Sequence, residues 1–183
     1  MTKLPPNFGL DRFGLHVRLV REEDAEFILK LRTDERLGRF IHPTSNDVEK
    51  QRQWIRDYKQ REAQGIEYYF IYELNNERVG VNRLYDMKPD TQEFTSGSFV
   101  FKTGLPMEIS TLSLIIMRDI AFDTLGYETN YSDVRLKNYH VRKSARLFGC
   151  TQYGETEESA LYVVDKLTYK RNRQRLLKLL DIN

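Results

Sequence analysis

The stretch "FKTGLPMEIS", Phe101 to Ser110, has the makings of an anion site. A strand ends at Phe101, a Gly-x-Pro turn follows at Gly104 and Pro106, and a helix opens with Glu108 in its first turn. A helix N-terminus leaves backbone N–H groups unpaired at the positive end of the helix dipole, so a phosphate can be held there without a basic side chain. Two residues work against this. Pro106 removes one donor, and Glu108 brings a negative charge close to the others. Taken alone, the turn is better read as an ordinary βα connection with Pro near the first helical position. Other chemistries are poorly served. Three histidines and one cysteine form no cluster with metal-ligand spacing, so no metal site is expected. No Ser/His/Asp or Cys/His set points to a nucleophilic hydrolase, and Cys150 reads as a buried, inert thiol.

With 183 residues, 40% hydrophobic and 31% charged, the chain is expected to fold as one domain with a real core. Its 29 basic and 27 acidic side chains leave a net charge of +2, so no overall field draws it to nucleic acid or an anionic membrane. The opening "MTKLPPNFGLDRFGLHV" lacks a signal peptide's apolar run, and no stretch approaches the ~18 apolar residues of a membrane span. A cytoplasmic location is expected.

The elements that must position any site follow from periodicity. "LHVRLV" (15–20) reads as a strand and "REEDAEFILKLR" (21–32) as a helix with acids in its first turn. Residues 33–44 read as a loop. The next helix opens on the capping candidates Ser45, Asn46 and Asp47, carries Val48, Ile55 and Tyr58 on one stripe and stops at Gly65. "EYYFIYE" and "RVGVNRLYD" flank Asn75-Asn76 as a hairpin, and "EFTSGSFVF" (93–101) is a third strand of an antiparallel meander, weakened by Gly97. The helix 107–125 is apolar over most of its circumference. With the strand 128–135 it makes a right-handed βαβ unit, so two parallel strands sit inside an otherwise antiparallel sheet. A helix at 138–149, a last strand at 159–167 and a basic helical tail complete the order. The domain is placed at 15–168, with 1–14 as an N-terminal extension and 169–183 as the tail. Leu176, Leu177, Leu179 and Leu180 form an apolar stripe on that tail, which must pack on its own domain or across a homodimer.

This order, with "VRLVREEDAEFILKLRTDE", "EYYFIYE", "RVGVNRLYD", "GSFVFK" and "DVRLKN", resembles the GNAT acyltransferase superfamily over nearly the whole chain. The branch it matches best contains ribosomal-protein N-terminal and amino-sugar N-acetyltransferases. The resemblance implies an α/β (α+β) single domain: a mixed, mostly antiparallel sheet with its parallel βαβ unit at an acetyl-CoA site. It implies that the turn carrying Gly104, Met107, Glu108 and Ile109 binds the pyrophosphate. The turn departs from the usual Arg/Gln-x-x-Gly-x-Gly/Ala loop, although Gly-x-Pro turns occur in the sugar-modifying branch. Main-chain groups of Phe99, Val100 and Phe101 would pair with pantetheine between splayed strands, the Gly97 region hosting the bulge that parts them. Asn138 matches a pantetheine-contacting position and is also a good helix N-cap. Arg142 and Lys143, with Lys137 and Arg146, would face the 3′-phospho-ADP end or simply form a solvated face.

The resemblance also implies direct attack of an amine on the thioester. An ammonium with a pKa near ~10.4 must lose a proton, the developing oxyanion needs a donor, and the thiolate must leave. Main-chain N–H groups around Val100 would serve the oxyanion. Ala145 stands where family members often carry Tyr or His, and Tyr139 and His140 lie too early on the helix to replace it, so the thiolate is expected to leave unaided. Thr95 occupies the place of a common family Glu. Strand alternation makes Glu93 the nearest carboxylate on that face, roughly 6 to 7 Å further along and within reach of a water relay. Glu67 is the competing base. Arg32 and Tyr85 are expected on the acceptor side, while Trp54 and Tyr58 read as packing residues. The expected activity is acetyl transfer from acetyl-CoA to a primary amine of a small molecule, an amino-sugar nucleotide being one candidate. Protein N-terminal acetylation and a non-catalytic acyl-CoA-binding module are the alternatives.

Overall fold

The computed structural model describes residues 2–182. Eight strands form one sheet in the order β1-β2-β3-β4-β5-β6-β8-β7. They are β1 Gly9–Arg12, β2 Leu15–Leu19, β3 Tyr68–Leu74, β4 Glu77–Lys88, β5 Glu93–Phe101, β6 Thr129–Arg135, β7 Thr151–Glu155 and β8 Ser159–Asp165. Only β5 and β6 are parallel, joined by the crossover through α3 (Met107–Asp119). The remaining helices are α1 (Ala25–Thr33), α2 (Val48–Gln64), α4 (Tyr139–Leu147) and α5 (Lys166–Leu179).

Both faces of the sheet are covered, which is why the centre of β3 reads as an unbroken apolar run. Tyr68, Phe70 and Tyr72 point into a core shared with Leu112, Ile115, Ile116 and Phe122 from α3 and the segment after it. Tyr69 and Ile71 point the other way, to Ile28 and Leu31 of α1 and Ile55 and Tyr58 of α2. Asn75 and Asn76 both adopt positive φ, 51° and 63°, as the tight β3–β4 turn requires. The Asp47 side chain caps α2 by accepting from Glu49 N and Lys50 N.

Two strands differ from the sequence reading. Residues 9–12 add β1 to the sheet by pairing with β2 around the Phe13–Gly14 turn. β7 lies beyond β8 as an exposed edge strand, and its "TQYGE" has no apolar alternation to mark it. The last strand stops at Asp165 because that side chain accepts from Thr168 N at 2.9 Å and starts α5. The tail helix packs on its own domain: Tyr169 and Leu176 are buried in the core, Leu177 and Leu180 lie against it, and Leu179 is 77% exposed.

Strands β5 and β6 share three pairs, Glu93–Thr129 to Thr95–Tyr131, and then part. The β4–β5 register slips in the same region: Arg83 faces Gly97 and Val81 faces Val100, so β5 carries an extra residue between them. Ser98, with φ 51°, marks this bulge. An inserted residue bends its strand, and here the bend takes β5 away from β6.

Candidate active site

A cavity of about 820 Å³ opens where β5 and β6 part, and it reaches both faces of the sheet. Ser96–Phe99 and Ser132–Arg135 form its two edges. Because the β5–β6 ladder ends at Thr95, the main-chain groups of β5 from Gly97 onward that face β6 have no strand partner there. They fit the amides of an extended pantetheine arm, which would add to β5 as a strand does.

One wall of the cavity is built by α3 and α4. Ser110, Thr111, Leu114, Met117 and Arg118 line it from α3, and Asn138, Val141, Ser144, Ala145 and Phe148 from the other wall. Asn138 caps α4, its Oδ1 accepting from Val141 N at 3.3 Å, and the residue lines the cavity. Phe99 also lines it, stacked on Phe101 at 4.8 Å. The Val100 side chain is buried against α1 and α2, and Phe101 packs on Tyr72, so these two can meet a ligand only through their main chain.

The α3 N-terminus lies beyond the cavity wall and has no side-chain cap. Gly104 has φ +78° and open space where a Cβ would stand, so its backbone is approachable from solvent. Met107 is 92% exposed, Glu108 half-buried, and Ile109 is a core residue. Arg142 is folded onto its own domain, donating to Leu136 O at 3.1 Å and Tyr162 Oη at 3.4 Å. Lys143 is exposed, and neither it nor Arg142 lines the cavity.

On the side of α1 and α2, Arg32 lines the cavity and steadies the loop before α2 by donating to Thr44 Oγ1 at 2.7 Å and His42 O at 3.3 Å. Tyr85 also lines it, under the Arg83 guanidinium at 4.5 Å. Burial, then the neighbouring Asp133, pushes the Tyr85 phenol up to about 12. Glu93 stands outside the cavity, where β5 and β6 are still paired, and is held by Thr91, Tyr131 and Lys88. Glu67 is buried in ion pairs with Arg61 and Arg83.

Several lining residues are not among the site residues expected from the sequence. Asp133 is the only carboxylate of the described residues in the lining. Trp54 faces the cavity as well as packing on Tyr58. Among the described residues, three buried side-chain polar atoms lack a hydrogen-bond partner: Tyr69 Oη, Asn82 Nδ2 and Arg83 Nε. All three residues line this cavity. Leaving a buried polar group unpaired costs about 1–3 kcal/mol, so their concentration here marks a surface made to meet a polar ligand. Alternation along β4 and β6 puts Arg83 beside Tyr85 and Asp133 opposite them, which is the signal that identifies them once the parting of the strands is known.

The acetyltransferase (GNAT) domain family model matches residues 15–151. Apo FdhC, described as a nucleotide-linked sugar GNAT, superposes with a TM-score of 0.83 at 33% identity, over 92% of this chain and 96% of its own. Mycobacterium smegmatis RimJ in complex with CoA-disulfide superposes at 0.78 with 17% identity, covering 91% and 89% of the two chains. The ribosomal-protein-S5-alanine acetyltransferase of Vibrio fischeri does so at 0.75 with 15% identity, covering 87% and 97%. The last two likenesses are of fold. No curated protein sequence matches the chain. Since the family match spans the parted strands and both walls of the cavity, the chain belongs to the GNAT acetyltransferase family and is an N-acetyltransferase that uses acetyl-CoA.

Proposed function

We propose that the chain acylates the amino group of a nucleotide-linked amino sugar. The charge of the acceptor side carries this reading. Arg32, Lys50 and Arg83 line it, and Asp133 is the one carboxylate in the lining among the described residues. A polyamine or a protein N-terminus brings positive charge to a cationic wall, whereas a nucleoside diphosphate brings the complementary sign. Tyr69, Arg83 and Tyr85 offer donors to such a ligand. The 33% identity to a nucleotide-linked sugar GNAT supports the same acceptor class.

The CoA thioester supplies an acyl carbon that the amine attacks directly, the C–N bond forming as the C–S bond breaks and its electron pair leaves on sulfur. The chain holds the two reactants on opposite sides of the parted strands. Unpaired N–H groups at the Gly97–Val100 bulge face the charge developing on the thioester oxygen. Asp133, at the edge of the same gap, accepts the ammonium proton, and Tyr85 orients its carboxylate. No Tyr or His occupies the Ala145 position, and a thiol pKa of about 8.5 lets sulfur leave without a dedicated acid.

A nucleoside diphosphate without its sugar tests the acceptor site. Inhibition competitive with the acceptor amine and not with acetyl-CoA is expected. Absence of inhibition at concentrations well above the acceptor KM would count against the reading.

A further inference from the structure

The middle of β4 carries a buried amide with one end unused. Asn82 is fully buried; it faces Phe70 across the β3–β4 ladder and so lies on the α3 face of the sheet with Phe70 and Tyr72. Its Oδ1 accepts from Tyr72 Oη at 3.1 Å, a hydroxyl shared with Ser113 O of α3 at 3.1 Å, and this fixes which way the amide turns. Its Nδ2 has no hydrogen-bond partner among the described residues, and Asn82 lines the cavity. Val81 and Leu84 on the same strand are buried and apolar. A leucine at position 82 would fill a similar volume and leave no donor unpaired, so the fold alone gives no reason for an amide.

Asn82 stands opposite the place where β5 bulges. Val81 faces Val100 and Arg83 faces Gly97, so Asn82 alone spans Ser98 and Phe99. Adjacent strands run about 4.8 Å apart, and the free N–H end therefore looks across the bulge to where β5 has left β6. The carbonyl of a thioester whose pantetheine arm adds to β5 arrives there.

We propose that Asn82 is a catalytic residue whose Nδ2 donates to the thioester oxygen. As the amine nitrogen adds to the acyl carbon, the carbonyl π pair moves onto oxygen. Nδ2–H meets that charge together with main-chain N–H groups of the bulge, and the pair returns as the C–S bond breaks and thiolate leaves. A donor that is already desolvated and held by Tyr72 needs no reorganisation when the charge appears, which is where such a group gains its strength. This inference rests on the cavity being the thioester site and not on the acceptor being a nucleotide-linked amine.

Hydroxylamine as the nucleophile separates the two, since it needs no acceptor pocket. Formation of acetohydroxamate from acetyl-CoA, followed in single turnovers, is expected to run faster with the full chain than in buffer. Asn82→Leu is expected to slow it on the order of a hundredfold. Calorimetric affinity for CoA, which has no thioester oxygen, should stay within about threefold of the parent. The melting temperature should hold or rise, because an unpaired buried donor has been removed. A rate within about threefold of the parent would overturn the proposal, and a rate loss matched by an equal loss of CoA affinity would make Asn82 a pantetheine contact instead. Asn82→Ala, too small to clash, is held to the same rate criterion should leucine not pack. No acceleration by the unaltered protein would also overturn the proposal, and the nucleoside diphosphate test of the acceptor would stand apart from that result.

Discussion

Tyr85 Oη stands 3.5 Å from Asp133 Oδ1, across the gap that opens where β5 and β6 part. A phenol pushed up to about 12 stays protonated through the neutral range, so Tyr85 donates to the carboxylate and does not itself take the substrate proton. Asp133→Asn is expected to lower kcat on the order of tenfold to a hundredfold near pH 7, with the deficit shrinking as the acceptor amine deprotonates at higher pH. Tyr85→Phe should keep the shape of the pH–rate profile between pH 6 and 9. A profile displaced by that change would make Tyr85 the titrating group.

Gly97 makes room for Tyr85. A Cβ there would stand 2.9 Å from Tyr85 Oη and 3.0 Å from its Cε1, so the ring has to move. Gly97→Ala should lower kcat/KM for the acceptor on the order of tenfold to a hundredfold while the melting temperature changes little. Steady-state kinetics and a thermal melt read the two effects separately.

Gly104 tests the proposed pyrophosphate site at the α3 N-terminus. Its φ of +78° strains a β-branched replacement by about 1–3 kcal/mol, and the added side chain would occupy the open space above the α3 N-terminus. Gly104→Val should weaken acetyl-CoA binding and leave the acceptor KM nearly unchanged. Unaltered stabilisation of the variant by acetyl-CoA in a thermal melt would place the pyrophosphate elsewhere.

Stability towards acid depends on a cluster away from the cavity. Asp24 is fully buried and accepts from Arg18 Nη1 at 2.8 Å, Arg18 Nη2 at 2.9 Å and Arg21 N at 2.8 Å, with Arg78 at 3.2 Å. Burial pushes its carboxyl up, but the Arg18 and Arg21 hydrogen bonds outweigh it and the net shift is downward. A lowered folded value stabilises the protein above the unfolded carboxyl's pKa of about 3.9, and that contribution is lost as pH falls through the folded value. Asp24→Asn should cost about 3–5 kcal/mol at pH 7 in urea unfolding, with the difference from the parent narrowing below pH 4.

The fold is legible in the sequence wherever burial imposes a period. The β3 run is apolar because both faces are covered, Asn75-Asn76 supplies the turn, and the α3 pattern announces a buried crossover. The edge strands β1 and β7 are not legible, since neither has a buried residue to impose an apolar pattern. The site was harder to read for a different reason. Alternation puts Glu93 on the face of Thr95 and Gly97, but the point at which β5 leaves β6 is set by the bulge at Ser98 and by pairing across the sheet. That long-range geometry leaves Glu93 outside and brings in Asp133.

On the proposed reading, one cavity brings a CoA thioester and a nucleotide-linked amine together. Acceptor-dependent release of free CoA thiol tests it most directly, comparing a nucleotide-linked amino sugar with the free amino sugar, spermidine and an N-terminal alanine peptide. The highest kcat/KM is expected for the nucleotide-linked sugar, with most of the advantage lost when the nucleotide is removed. Equal or faster release with spermidine or the peptide would contradict it.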